Sequence, residues 1–220
     1  MFARLYSRLS PGMDRQGVAE HRQRLLAGLA GRVVEVGAGD GLNFARYPPT
    51  VSTVLALEPE PYLRRRAGER AVEAPVPVDV VDAAGENIPA ADGSVDAVVA
   101  SLVLCSVRHQ DVVLAEMWRV LRPGGELRFY EHVAAPDGGR LRTVQRVVDA
   151  TVWPHLVGGC HTGRATEAAI SAAGFVIDDV DRFHFPPGQA SPAAPHVLGW
   201  AHRPAARPPG RPRPATTNGR

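Results

Sequence analysis

The stretch VVEVGAGDGLNF, residues 33–44, places Gly37, Gly39 and Gly41 directly behind a short apolar run that carries one acid, Glu35. A strand that feeds a glycine-rich turn and then a helix aims backbone N–H groups at a ligand, and any Cβ there would block its approach. The dinucleotide fingerprint G-x-G-x-x-G is not met, because Leu42 stands where its third glycine belongs. Glu35 would repel a pyrophosphate and suits a ligand that bears an ammonium group. A second acid, Glu58, closes the next apolar run 17 residues after Gly41. A strand-end carboxylate accepts both hydroxyls of a ribose. Alone it reads as a solvated turn residue; behind this glycine turn it reads as the diol acceptor.

Working outward, short apolar runs alternate with helix-length segments. The pattern predicts strands at Arg32–Val36, Thr53–Leu57, Val78–Val81, Ala97–Ser101, Leu127–Tyr130, Gly174–Val180 and His196–Ala201. Between them PEPYLRRRAGERAVEA, QDVVLAEMWRVL and GRATEAAISAAG carry apolar residues at spacings of three and four, the period of a helix. This alternation predicts an α/β, Rossmann-like, seven-stranded and mostly parallel sheet with helices on both faces. The last two strands are joined by FPPGQASPAAP with no helix between them, so the last is expected to run antiparallel. Ahead of the first strand a helix is expected from about Arg15 to Leu29, ending near Gly31 as a glycine C-cap.

The 220 residues suit one domain with appendages: residues 1–30 as a helical cover or lid, 31–202 as the folded domain, and 203–220 as a tail. That tail, RPAARPPGRPRPATTNGR, holds five arginines and no acid and is expected to be disordered. The rest of the chain has 20 arginines against 23 acids, a net charge of −3, which is a poor platform for a phosphate backbone, so no specific nucleic-acid partner is expected. No run is long and apolar enough to span a bilayer and no cleavable leader opens the chain, so a cytoplasmic protein is expected. The only cysteines, Cys105 and Cys160, have neither a CxxC spacing nor a disulfide framework around them.

EVGAGDG (35–41), LALEPEP (55–61), AAGENIPAADGSVDAVVAS (83–101) and RVLRPGGELRFYEH (119–132) resemble, in order and spacing, the successive motifs of class I S-adenosylmethionine-dependent methyltransferases. The resemblance implies S-adenosyl-L-methionine as cofactor. It implies that Glu35, Gly37, Ala38, Gly39, Gly41 and Asn43 cradle the methionine part, that Glu58 with Pro59 holds the ribose, and that Ser101 ends its strand beside the cofactor. Many relatives carry an Asp two residues before the Glu of this motif to hold the adenine amine; here Ala84 stands in that place. Adenine recognition then falls to backbone around Gly85 and to Glu86, or to Asp82. A closer resemblance, through LVLCSV, EHVAA and GGCHTGR, is to the methyltransferase-like alkyl-thiol S-methyltransferases and their bacterial relatives. It implies transfer of a methyl group to a small molecule, with a thiol as acceptor. O- or N-methylation of a metabolite or lipid headgroup is the alternative within the class, and a cofactor-binding module without turnover the alternative outside it.

Ligands in open α/β sheets bind at the carboxyl ends of the strands. Leu102 and Cys105 follow the fourth strand there, Glu131 and His132 end the fifth, and VDATVWPHLVGGCHTGR brings Trp153, His155, Cys160 and His161 into an irregular segment suited to an acceptor wall. His132 is the candidate base or polariser, since histidine titrates near neutrality. A lone histidine is also a common structural residue, and the two cysteines read first as small packing residues. The spacing of His132, His155 and His161 matches no usual metal site, so no metal is expected.

Overall fold

The computed structural model describes residues 2–137, 139–151, 153–188 and 191–205. The order of elements is α1 (Phe2–Met13), α2 (Ala19–Leu26), β1 (Gly31–Val36), β2 (Val51–Leu57), α3 (Pro61–Ala71), β3 (Val78–Val81), β4 (Val95–Ser101), α4 (Gln110–Val120), β5 (Leu121–His132), α5 (Arg140–Asp149), α6 (Trp153–Leu156), α7 (Thr166–Ala172), β6 (Val176–His184) and β7 (Pro195–His202). The sheet runs β3-β2-β1-β4-β5-β7-β6. Strands β1 to β5 pair in parallel, and β7 lies antiparallel to both β5 and β6. The strand order reverses between β1 and β4, so the crevice at their carboxyl ends is where such a sheet binds ligands.

Residues alternate between faces along each central strand. Val34, Val36, Val98, Ala100, Leu127 and Phe129 join Leu114 and Met117 of α4 and Ile170 of α7 in one apolar cluster. On the other face Val33, Ala97, Val99 and Tyr130 pack with Leu25 and Leu26 of α2 and Ala67 of α3. Both faces are covered, which is why the strands read as continuous apolar runs. Helix α3 begins where expected because Pro61 opens it and the Glu60 carboxylate accepts the Leu63 N–H at 2.7 Å.

Several local expectations differ from what the structure shows. The helix expected from about Arg15 is α2, which begins at Ala19 behind a kink at Gly17, with φ of 121°, and a separate helix, α1, precedes it. Helix α2 stops at Leu26, and Gly31 instead opens β1, where a Cβ would lie 2.2 Å from an Asp96 carboxylate oxygen. No helix follows the glycine turn, only a single 3₁₀ turn at Phe44–Arg46, so no helix N-terminus faces the ligand side. The segment expected to be irregular before Cys160 holds the end of α5 and one short helix, α6, between turns. Strand β5 starts earlier than expected because Leu121 already pairs with Val95; residues 122–125 then loop out before Glu126 meets Ala97. From residue 206 the expected tail lies outside the described residues. Among the described residues no helix is long and apolar enough to cross a membrane.

Candidate active site

The turn after β1 is built on left-handed backbone, with φ of 65° at Gly37, 58° at Gly39 and 80° at Gly41. A Cβ on Gly37 would stand 2.4 Å from a methyl of Val103, and one on Gly41 2.7 Å from the Phe44 ring. Beneath the turn Glu35 is fully buried: it accepts hydrogen bonds from the Asn43 side-chain amide and the Tyr47 hydroxyl, each at 2.7 Å. Asn43 accepts in turn from Arg22 of α2 at 2.9 Å, and Arg22 pairs with Asp14. The N-terminal segment is fixed to the turn a second time through Ser10, whose hydroxyl donates to the buried Asp40 at 3.0 Å. Glu35 and Asn43 therefore brace the turn from below.

Burial raises the Glu35 carboxyl from 4.5 to about 7, against the pull of its Tyr47 and Asn43 hydrogen bonds. Between those two values the folded chain keeps a proton that the unfolded chain has released, so stability falls as pH rises through this window. The expected result is that the ligand-free protein loses up to about 3 kcal/mol relative to Glu35→Gln between pH 4.5 and 7.5, measured by denaturant unfolding. A difference that stays constant with pH would show Glu35 ionised throughout.

Glu58 sits at the end of β2, 6% exposed. One carboxylate oxygen accepts the Gly39 N–H at 2.8 Å and the other the Glu60 N–H at 2.9 Å, so the acid links the glycine turn to the start of α3. Burial shifts its carboxyl upward, and the two backbone N–H groups oppose the shift. Each oxygen keeps a second lone pair for a ligand hydroxyl. Across the crevice the Ser101 hydroxyl is buried with no hydrogen-bond partner. Leu102 follows it with φ of 58°, a left-handed non-glycine residue that costs on the order of 1–2 kcal/mol. Gly85 is required by packing, since a Cβ there would be 2.8 Å from a Val36 methyl. Ala84 and Glu86 flank it in the same turn, Pro59 is exposed, and Asp82 is held outward by Arg64 at 2.9 Å. An unpartnered hydroxyl, a buried acid with spare lone pairs and a strained carboxyl edge fit a nucleoside-type cofactor.

At the end of β5 Glu131 is fully buried, and its carboxylate accepts three consecutive N–H groups: Val103 at 3.0 Å, Leu104 at 2.9 Å and Cys105 at 3.1 Å. Burial raises its carboxyl to about 6 against these three bonds. Glu131 thus shapes the loop after β4 and does not face the crevice as an acceptor wall. A second loop docks on this one. The His161 N–H donates to the Cys105 carbonyl at 2.9 Å, and Gly159, at φ of 87°, lies so near the Ser106 carbonyl oxygen that a Cβ would be 2.7 Å from it. Asp149 of α5 holds the same loop by accepting the N–H groups of Thr162 at 2.7 Å and Gly163 at 2.9 Å.

The docking brings together residues far apart in sequence. The Cys105 and Cys160 sulfurs are 3.8 Å apart, and His132 Nδ1 is 3.4 Å from Cys160 Sγ. Cys105 and His132 both pull the Cys160 thiol down, against its burial. Cys105 itself is pushed well up by Cys160, by burial and by Glu131. His155 is exposed on α6, away from this cluster.

Sequence reasoning missed an aromatic wall. His21 of α2 lies with its ring 4.6 Å from Phe183 and its Nδ1 3.2 Å from the Tyr130 hydroxyl, while His196 of β7 stacks on Tyr130 at 5.4 Å and meets His132 edge-on at 4.5 Å. Phe185 closes the group at 4.8 Å from His21. Burial lowers His196 to about 3, so its ring is neutral, with Nδ1–H donating to the Ala194 carbonyl. The signal for it was the alternation Phe183, His184, Phe185, hidden because the sixth strand was expected to stop at Val180. His196 and Phe183 also border an adjoining cavity of about 480 Å³.

Residues 34–129 match the model of the methyltransferase domain family. The chain is 37% identical over 219 residues to the human thiol S-methyltransferase TMT1B, covering 91% of this chain and 85% of that protein. By shape it is similar to a putative methyltransferase of Bacillus halodurans, with a TM-score of 0.68 at 15% identity, covering 86% of this chain and 99% of that one. It is similar also to a geranyl diphosphate methyltransferase solved in complex with S-adenosylmethionine, with a TM-score of 0.66 at 18% identity, covering 90% and 89%.

Proposed function

Given that this chain belongs to the methyltransferase domain family and is an S-adenosylmethionine-dependent enzyme, we propose that it methylates the sulfur of a small-molecule thiol. The observation that carries the choice of acceptor is the arrangement of Glu131. Three consecutive N–H groups of the loop after β4 converge on its carboxylate, so this acid at the acceptor end is engaged in holding backbone. An alcohol needs a committed base, whereas a thiol, with a pKa near about 8.5, is partly ionised at neutral pH. The similarity to a human thiol S-methyltransferase supports the same choice.

When bound, S-adenosylmethionine supplies a methyl group on a sulfonium that is its own leaving group. In this reading Glu58 receives the ribose hydroxyls, Ser101 gives its unpartnered hydroxyl to the cofactor, and the Gly37–Gly41 turn admits the methionine part at backbone distance. Ala84, Gly85 and Glu86 border the adenine. Leu102 and the aromatic wall of His21, Tyr130, Phe183, Phe185 and His196 exclude water and orient an apolar acceptor. Alignment of two bound reactants is worth roughly 7–11 kcal/mol, far more than a general base adds. His132, at the acceptor end, polarises the thiol. Two free, buried cysteines beside it suit a reducing, cytoplasmic setting.

The test is turnover on matched pairs of thiols and alcohols that share a carbon skeleton. Thiols are expected to lead by at least about 100-fold in kcat/KM, and His132→Ala is expected to lower kcat by roughly 10²-fold or more while sparing S-adenosylhomocysteine affinity. Preference for the alcohols or amines would overturn the thiol assignment.

A further inference from the structure

The Cys105, His132 and Cys160 cluster has a geometry that neither the cofactor nor simple packing requires. We infer that these three side chains form a zinc site with an open fourth position, and that this position takes the sulfur of the acceptor thiol. A tetrahedral zinc with bonds of about 2.3 Å to sulfur and about 2.0 Å to nitrogen sets an S···S edge of about 3.8 Å and an S···N edge of about 3.5 Å. The two edges measured here are 3.8 Å and 3.4 Å, and all three ligand atoms lie within 4.8 Å of one another. Two thiolates and an imidazole are a donor set that zinc favours, and three protein ligands with one free position are the pattern of catalytic rather than structural zinc.

The ligands are also held in place from three separate elements, as such a site demands. Glu131 fixes the Cys105 backbone, β5 presents His132 at its end, and the His161 N–H on the Cys105 carbonyl presses the Cys160 loop down. Cys105 and Cys160 are 1% and 4% exposed while His132 is half-buried, so the free position is reached along the histidine side, where the aromatic wall begins. On the cofactor side, Val103 of the same loop packs against Gly37.

The acceptor part of this inference rests on the thiol reading; metal binding does not. On coordination the thiol gives its proton to solvent and its sulfur becomes a zinc-bound thiolate. A sulfur lone pair then forms the new S–CH₃ bond as the sulfonium S–CH₃ bond breaks. The breaking pair stays on the departing thioether, and zinc keeps its oxidation state. His132 polarises the acceptor through the metal.

The experiment uses the full chain, reduced and metal-free, titrated with Zn²⁺ against a chromophoric chelator and, in parallel, loaded with Co²⁺. One equivalent of zinc is expected to bind. The cobalt form is expected to show thiolate-to-metal charge transfer with tetrahedral d–d bands, and those bands are expected to shift when a small thiol is added. Cys160→Ser, which nearly preserves shape, is expected to weaken zinc at least 100-fold with its circular dichroism unchanged. No zinc binding by the wild-type protein, or a cobalt spectrum without thiolate charge transfer, overturns the site whatever the variant does. Cobalt bands that ignore thiols, or a metal-free enzyme that methylates thiols at the full rate, overturn the open-position role. The second of these outcomes leaves the thiol reading standing. A zinc-loaded enzyme that methylates no thiol overturns that reading, and the zinc titration still decides the metal site.

Discussion

Glu58→Ala is expected to bind S-adenosylhomocysteine at least about 100-fold more weakly than the wild-type protein, a loss of roughly 2.7 kcal/mol. Hydrogen bonds to a charged acceptor contribute about 1.5–3 kcal/mol each, and a ribose diol offers two. The substitution also releases the Gly39 and Glu60 N–H groups, which the carboxylate holds at 2.8 and 2.9 Å. Gly39 sits at φ of 58°, a left-handed conformation that its lack of a Cβ permits. Glu58→Gln is the informative companion: it keeps the size of the side chain but turns one oxygen into an N–H donor that opposes a backbone N–H. Its affinity is expected between the other two. Calorimetric titration gives both values, and a thermal melt of each variant shows that the fold persists. A loss under about 5-fold in Glu58→Ala would remove the ribose assignment.

Glu131→Ala is expected to lose at least about 3 kcal/mol of stability, a fall of roughly 6–12 °C in melting temperature for a chain of this size. The reason is the number of donors left without an acceptor. Three backbone N–H groups, from Val103, Leu104 and Cys105, end on this one fully buried carboxylate, and each buried orphan donor costs about 1–3 kcal/mol. Function should fail with stability. The loop carries Val103 onto Gly37 and Cys105 onto Cys160, so slackening it loosens both ends of the site. Glu131→Gln keeps an oxygen for Val103 and Leu104 and sets its amide against the Cys105 N–H. It is expected to retain more stability than the alanine variant and to lose turnover more than cofactor affinity. Chemical denaturation with parallel turnover measurements decides this. An alanine variant as stable as wild type would mean that water reaches and satisfies the loop.

Much of this was legible along the chain because the physics that decides it is local or periodic. Strand β3 was bounded correctly, and α4 to within a residue, because apolar spacing alone separates a strand from a helix. The antiparallel β7 followed from a proline-rich connection too short on helix to make a parallel crossover. The glycine turn was visible because close backbone approach needs glycine at particular places, and Glu58 stood out as an acid closing the next apolar run.

Where several segments had to meet, the one-dimensional pattern carried no signal. Gly31 read as a helix cap, and its freedom proves to serve the approach of β1 to Asp96. Glu131 read as part of an acceptor wall, and it proves to be the anchor of a loop 26 to 28 residues before it. Cys105, His132 and Cys160 had no motif spacing, the two cysteines lying 55 positions apart. They meet because a carboxylate fixes one loop and a glycine with left-handed backbone lets a second loop press against it. Periodicity settled the class of fold along the chain, and the resemblance of its short motifs carried the family and the cofactor. Only the tertiary structure decided which side chains share the acceptor end, because that depends on contacts between loops whose positions the sheet sets and whose separations along the chain are unconstrained.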